Sequence, residues 1–183
     1  MNLYTSILRA ATGLFAAALL TQSSVSAQPT VQAPPRDSVI AAARELIGQT
    51  HYCALITLDS AGRPQVRTMT PFPPEEDMTV WIATNSRSRK VQEIRKNPHV
   101  CLYYSDHTKG NGYVSITGTA QLIDDMSEKL KRKRAYWDQA FPDFTYLILI
   151  KVVPDHLDVL NYKWHMLNGP VTWRVPNLEL DAK

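Results

Sequence analysis

The chain has 183 residues, 44% of them hydrophobic, and its 20 basic and 17 acidic side chains leave a net charge of +3. That composition is ordinary for a globular protein, and so small a charge gives no case for nucleic acid, which usually needs a strongly basic face. The two cysteines, Cys53 and Cys101, have neither a CxxC spacing nor a nearby histidine pair, which argues against a zinc site.

Residues 1–27 read as a secretory signal. Arg9 is the one positive side chain of its first region, an apolar stretch runs from Ala10 to Leu20, and Val25-Ser26-Ala27 places small residues at the usual cleavage positions. Cleavage is expected after Ala27, giving a periplasmic or secreted protein. The apolar run is too short to span a bilayer comfortably. No twin-arginine pair precedes it, so export in the unfolded state is expected; an uncleaved membrane anchor is the alternative. Residues 28–36 are rich in proline and polar side chains and read as a linker. The remainder, roughly 145 residues, is enough for one domain with a core but not for two. In an exported protein Cys53 and Cys101 can pair as a disulfide; two buried free thiols fit the sequence equally well.

From Asp37 to Thr50, the side chains of Val39, Ile40, Ala43, Leu46 and Ile47 share one face of an amphipathic helix, which Gly48 is expected to end. His51 to Asp59 and Gln65 to Thr70 read as a hairpin around a turn at 59–64. Pro71, Pro73 and Pro74 then break the pattern. A third strand covers Thr79 to Thr84, a short helix Ser88 to Asn97, and a fourth strand His99 to Ser105. The fifth strand, Tyr113 to Asp124, contains Gly118, the mark of a bend or bulge. A second long helix is expected from Met126 to Phe141, then strands at Phe144 to Val153 and Leu157 to Tyr162. Many short strands with few helices predict a mainly β fold with flanking helices, a small closed or half-closed barrel. The basic run at 129–134 reads as a solvated helix face, with a membrane-surface or polyanion contact as the lesser reading.

The most informative stretch is Thr84-Asn85-Ser86-Arg87-Ser88-Arg89-Lys90. A strand that ends in hydroxyls and opens a helix with Ser-Arg-Lys suits an anion. The free N–H groups of the first helical turn point outward, at the positive end of the helix dipole. Ser88 can cap the helix or donate to a phosphate oxygen, Arg89 can fork onto two oxygens, and Lys90 adds a point charge. The plainer alternative is a capped surface helix with solvated basic residues.

A series of landmarks follows in order: Gly62-Arg63-Pro64, Arg67-Thr68-Met69, Trp81-Ile82-Ala83-Thr84-Asn85, Ser88-Arg89-Lys90, Asn97-Pro98-His99-Val100, and Val114-Ser115-Ile116-Thr117-Gly118-Thr119-Ala120. In this order they resemble the pyridoxamine 5'-phosphate oxidase-like family over residues 37–162, with 163–183 as a C-terminal tail. The resemblance implies a six-stranded antiparallel split β-barrel of the FMN-binding type. It also implies a homodimer with FMN at the subunit interface. By the same resemblance, Ser88, Arg89 and Lys90 hold the FMN phosphate and Arg67 adds charge. Thr68 and Met69 lie along the flavin ring and ribityl chain, and Ala83 and Thr84 line the other side.

The chain departs from pyridoxamine phosphate oxidase itself. Phe72 stands where a substrate-holding lysine is expected, Tyr113 replaces a flavin-contacting glutamine, and the C-terminal motifs that grip pyridoxal phosphate are absent. It is more similar to the general-stress-protein or uncharacterised branch. Tyr162, Trp164, His165 and Trp173 read as tail aromatics packed on the barrel, with a flap over a partner's flavin as the alternative. Trp137 reads as core or dimer contact. The histidines show no ligand spacing, and no catalytic acid or base can be named. The functional expectation is an exported FMN-dependent oxidoreductase acting on an unknown small molecule. The alternative is a non-enzymatic binder of flavin, heme or another planar ligand.

Overall fold

The computed structural model describes residues 33–180; the expected signal over 1–27 and most of the linker lie outside the described residues. Helix α1, Arg36–Gln49, buries Val39, Ala42, Ala43, Leu46 and Ile47. It runs through Gly48 and closes at Thr50, whose hydroxyl donates to the Ile47 carbonyl at 2.9 Å. Strands β1 (Cys53–Leu58) and β2 (Pro64–Met69) form the expected antiparallel hairpin. The Asp59 carboxylate organises its turn, accepting from the backbone N–H groups of Ala61 at 2.8 Å and Arg63 at 3.0 Å, and Gly62 supplies a φ of +75°.

Strand β3 (Val80–Asn85), helix α2 (Arg89–Lys96) and strand β4 (His99–Tyr104) follow, then the long strand β5 (Gly112–Ile123). Next come helix α3 (Met126–Lys131), helix α4 (Trp137–Ala140), a 3-10 turn at Phe144–Tyr146, strand β6 (Leu147–Asn161) and the short strand β7 (Asn177–Glu179). The sheet order is β2-β1-β4-β5-β6-β3, antiparallel at every pairing, with β7 added to β6. It therefore has seven strands where six were expected, and the seventh comes from the tail. The edge strands β2 and β3 share no ladder; a single bridge joins Pro71 to Ile82, and the Phe72 N–H donates to the Trp81 carbonyl at 2.8 Å.

Two expectations fail for physical reasons. The two C-terminal strands are one strand of 15 residues. Pro154 cannot donate to a ladder, but it sits opposite Gly118, where the register shifts by one residue and Asp155 is left over, so pairing resumes at His156 opposite Thr117. The long helix expected over Met126 to Phe141 is split in two, because its basic run turns inward. Lys129 is 3% exposed and paired with Asp124. Arg132 lies over the Trp81 ring at 3.6 Å and reaches Glu75 at 2.9 Å. Arg134 lies over the Phe72 ring at 3.8 Å and donates to the Pro71 carbonyl at 2.8 Å. Of its basic side chains only Lys131 and Lys133 remain exposed, so the basic run is not a solvated face.

The main core packs α1 and α2 on one face of the sheet, around Leu55, Ile82, Leu102, Ile116, Ile150 and Leu157. A second cluster gathers Trp81, Leu147 and Leu149 around a fully buried Trp137. Among the described residues no helix is long and apolar enough to cross a membrane.

Cys53 and Cys101 are both free. They sit on adjacent strands, but Ile56 is the partner of Cys101, and alternation puts Cys53 on the core face and Cys101 on the other. A disulfide cannot bridge side chains on opposite faces of a sheet. Burial pushes the Cys53 thiol up to about 12, which makes it inert as a nucleophile. Titration of the denatured, unreduced protein with a thiol reagent is expected to count two thiols per chain. A Cβ at Gly118 would stand 2.2 Å from the Val153 carbonyl oxygen. Gly118→Ala is therefore expected to lose about 1–3 kcal/mol of stability in chemical denaturation.

Candidate functional site

Most of the candidate residues converge between the two edge strands β2 and β3. β2 alternates, so Gln65, Arg67 and Met69 share the face that Cys53, Leu55 and Thr57 present on β1. Helix α2 lies beside that face. Its second turn supplies Glu93, whose side chain is 6% exposed and pairs with Arg67 at 2.8 Å. Thr57 donates to the same carboxylate and accepts from the Arg67 guanidinium. One turn earlier, Arg89 lies 3.1 Å from the other Glu93 oxygen and donates to Gln65 at 3.0 Å. The Arg89–Glu93 approach is close enough for an ion pair but not aligned for a hydrogen bond, so that oxygen has no hydrogen-bond donor. Lys90 points the other way and donates to Thr84 on β3 at 3.0 Å. The first turns of α2 thus hold both edges of the sheet.

The chain enters α2 through a tight turn. The Asn85 side chain accepts from the Arg87 N–H at 2.9 Å, and the Ser88 N–H donates to the Asn85 carbonyl at 3.0 Å. Arg87 leaves the cluster, its guanidinium 3.6 Å over the Tyr146 ring. Ser88 occupies the N-cap position, but its side chain makes no capping bond; its Oγ is buried without any partner. That orphan hydroxyl sits at the positive end of an eight-residue helix, beside Arg89 and Lys90.

Two cationic side chains, Arg67 and Arg89, flank one carboxylate, and Lys90 stands beyond them against Thr84. Burial works against the Glu93 carboxylate, but Thr57, Arg67 and Arg89 outweigh it and hold its pKa below the ordinary glutamate value. Lys90 is lowered, first by burial and then by repulsion from Arg67, with Glu93 partly opposing both. An anion beside Lys90 would offset both effects.

The structure divides the residues named from sequence. Arg67, Thr84, Ser88, Arg89 and Lys90 come together. Met69 shares the face of Arg67 and packs at the margin of the main core. Thr68 is exposed on the opposite face of β2, and Ala83 packs against the Trp137 cluster, on the face of β3 away from Thr84. Glu93, Thr57 and Gln65 were missed. Their signals were an acid four residues after Arg89 on a helix, and a threonine at the third inward position of an otherwise apolar strand face. Elsewhere, Tyr113 stacks on Tyr103 with ring centroids 5.4 Å apart. Trp164 donates to Glu45 on α1. Trp173 remains 75% exposed. Among the described residues no group of three or more potential ligands could hold a metal ion.

These features define a class: an antiparallel sheet with flanking helices and a cationic strand-to-helix junction at its opened edge. Within that class the chain belongs to the pyridoxamine 5'-phosphate oxidase-like family, whose model, described as "Pyridoxamine 5'-phosphate oxidase like", matches residues 39–163. General stress protein 26 of Bacillus subtilis (strain 168) is 27% identical over 104 residues, covering 55% of this chain and 73% of that protein. A crystal structure of a protein related to general stress protein 26 from Clostridium acetobutylicum superposes with a TM-score of 0.65 at 17% identity, over 81% of this chain and 98% of that one. A heme binding protein from Mycobacterium smegmatis has the same fold, with a TM-score of 0.59 at 12% identity, over 82% of this chain and 61% of that one.

Glu93 has a depressed folded-state pKa, so its contribution to stability is present above the unfolded-state value and is lost as pH falls through the folded one. The stability difference between the wild type and Glu93→Gln, read by urea denaturation, is expected to be full above about pH 5 and to shrink below about pH 4. A difference that grows on acidification would contradict this assignment.

Proposed function

We propose that the protein is an exported FMN-binding flavoprotein that works as a homodimeric oxidoreductase on a small molecule. The observation that carries this reading is the meeting of Arg67, Arg89 and Lys90 with the unpartnered Ser88 hydroxyl at the start of α2. FMN has a dianionic phosphate and a flat, largely apolar ring. Cations, a free hydroxyl donor and the N–H groups of a helix start suit the first, and the half-buried Met69 beside them suits the second. When bound, the flavin supplies hydride or single-electron transfer; the chain's own residues bind and orient it. Arg89, 72% exposed, is the cation most open to a ligand, whereas Arg67 is 17% exposed and committed to Glu93.

Family membership supports a flavin, and the departures noted in sequence argue against vitamin B6 as substrate. Phe72, at the position of the expected lysine, packs edge-on against Trp137 and under Arg134. A homodimer is supported by the face of the sheet away from the core, where Ile56, Leu58, Cys101, Tyr103 and Tyr113 stay half-exposed and Val66 is 63% exposed. Export in the unfolded state would require the cofactor to be collected after translocation.

The second reading is a non-enzymatic carrier of flavin, heme or another planar ligand. It is favoured by the absence of any substrate-gripping group at Phe72 and by the heme-binding protein that shares the fold.

The absorbance spectrum of the mature protein from its natural compartment separates the two ligands: flavin bands with FMN released on denaturation, or a Soret band. The phosphate assignment is tested by titrating the apoprotein with FMN and with riboflavin. The wild type is expected to prefer FMN, and Arg89→Ala/Lys90→Ala to weaken FMN at least about a hundredfold while sparing riboflavin, since two charge-assisted contacts are lost. Equal FMN affinity in wild type and variant would sink the assignment.

A further inference from the structure

We propose that Glu93 is the positioning residue of the anion site: its buried carboxylate fixes Arg67 and Arg89 in place and supplies negative charge beside Lys90. The inference rests on the reading that this site takes a phosphorylated flavin.

The geometry leaves Glu93 little other role. It is a 6% exposed carboxylate on a helix otherwise packed through Val91 and Ile94. Burying a carboxylate is costly unless it is paired and hydrogen-bonded. Here one oxygen is bound by Thr57 and by Arg67, whose side chain lies on β2 and is itself 17% exposed. The other oxygen faces Arg89 at 3.1 Å. Arg89 is also held by Gln65, so its fork is anchored at two points while most of it stays open to solvent. A long exposed arginine with no anchor must lose its side-chain freedom when it grips a ligand; one already held loses less.

Glu93 also acts on Lys90. The groups that act on Lys90 are Thr84 from β3, Arg67 from β2, and Glu93 from its own helix. Burial and Arg67 both disfavour its charged form, and Glu93 is the group that favours it. Without that carboxylate Lys90 would lose its proton at lower pH.

This separates positioning from plain charge. If Glu93 were only a nearby negative charge, removing it would strengthen phosphate binding, because it repels the ligand. If it positions the cations, removing it weakens binding despite the gain in net positive charge. The test titrates the apoprotein with FMN and riboflavin from pH 6 to pH 10, for the wild type, Glu93→Gln and Glu93→Asp. Glu93→Gln is expected to lose about tenfold of the preference for FMN over riboflavin at neutral pH. Its riboflavin affinity is expected to stay unchanged, which reports an intact fold, and the alkaline loss of its FMN preference is expected at lower pH than in the wild type. Glu93→Asp, charged but too short to span both arginines, is expected to restore the alkaline limb without restoring the preference. If Glu93→Gln does not fold, the Glu93→Asp pattern decides alone. Unchanged or tighter FMN binding in either variant overturns the inference and leaves the phosphate assignment standing. A wild type that binds FMN and riboflavin equally overturns both.

Discussion

The ion pair between Arg67 on β2 and Glu93 on α2 is the constraint on which the site depends. β2 and β3 are the two ends of the sheet's strand order, and among the described residues no ladder pairs them; a single bridge at Pro71 and Ile82 lies between them. Side chains of α2 join them instead. Glu93 and Arg89 reach β2, while Lys90 reaches β3. A helix fastened to both edges has its N-terminus fixed between them, which is where its unsatisfied N–H groups and its dipole can act on a ligand. Leaving either partner of so buried a pair alone would cost about 3–5 kcal/mol, so the arrangement is held by more than propensity.

A second set of cations, in and just after α3, packs against the sheet with the opposite purpose. Arg132 and Arg134 spread over the rings of Trp81 and Phe72, and Lys129 is buried on Asp124. The aliphatic stems and flat guanidinium groups of Arg132 and Arg134 cover the second core cluster, in which Trp137 is fully buried. These positive charges are used for packing. The charges around the start of α2 remain partly free because one carboxylate serves both Arg67 and Arg89 while Lys90 is held by the neutral Thr84 hydroxyl, and the Ser88 hydroxyl there has no partner.

Much of the fold was legible. The hairpin, the short helix after β3, and the long fifth strand with its irregularity at Gly118 all follow from local pattern and turn chemistry. What failed did so where distant contacts override local signals. The basic run 129–134 has strong helical and solvent-facing character, yet Trp81 and Phe72, more than fifty positions earlier, draw Arg132 and Arg134 inward and break the helix. Pro154 argues for a strand end, yet it sits opposite a glycine on the neighbouring strand, beside the bulge at Asp155, and the strand continues.

At the candidate site, sequence alone determined the chemistry: a hydroxyl, an arginine and a lysine opening a helix, with Arg67 on a nearby strand. It also determined the family, because landmark residues keep their order along a chain whatever their distance in space. Only the tertiary structure decided how those charges are compensated. Glu93 and Thr57 carry only weak local signals in sequence, and their meeting with Arg67 depends on α2 lying beside the inward face of β1 and β2. The tertiary structure likewise decided that Cys53 and Cys101 stay apart, since strand register and sheet face are long-range properties that residue spacing does not encode.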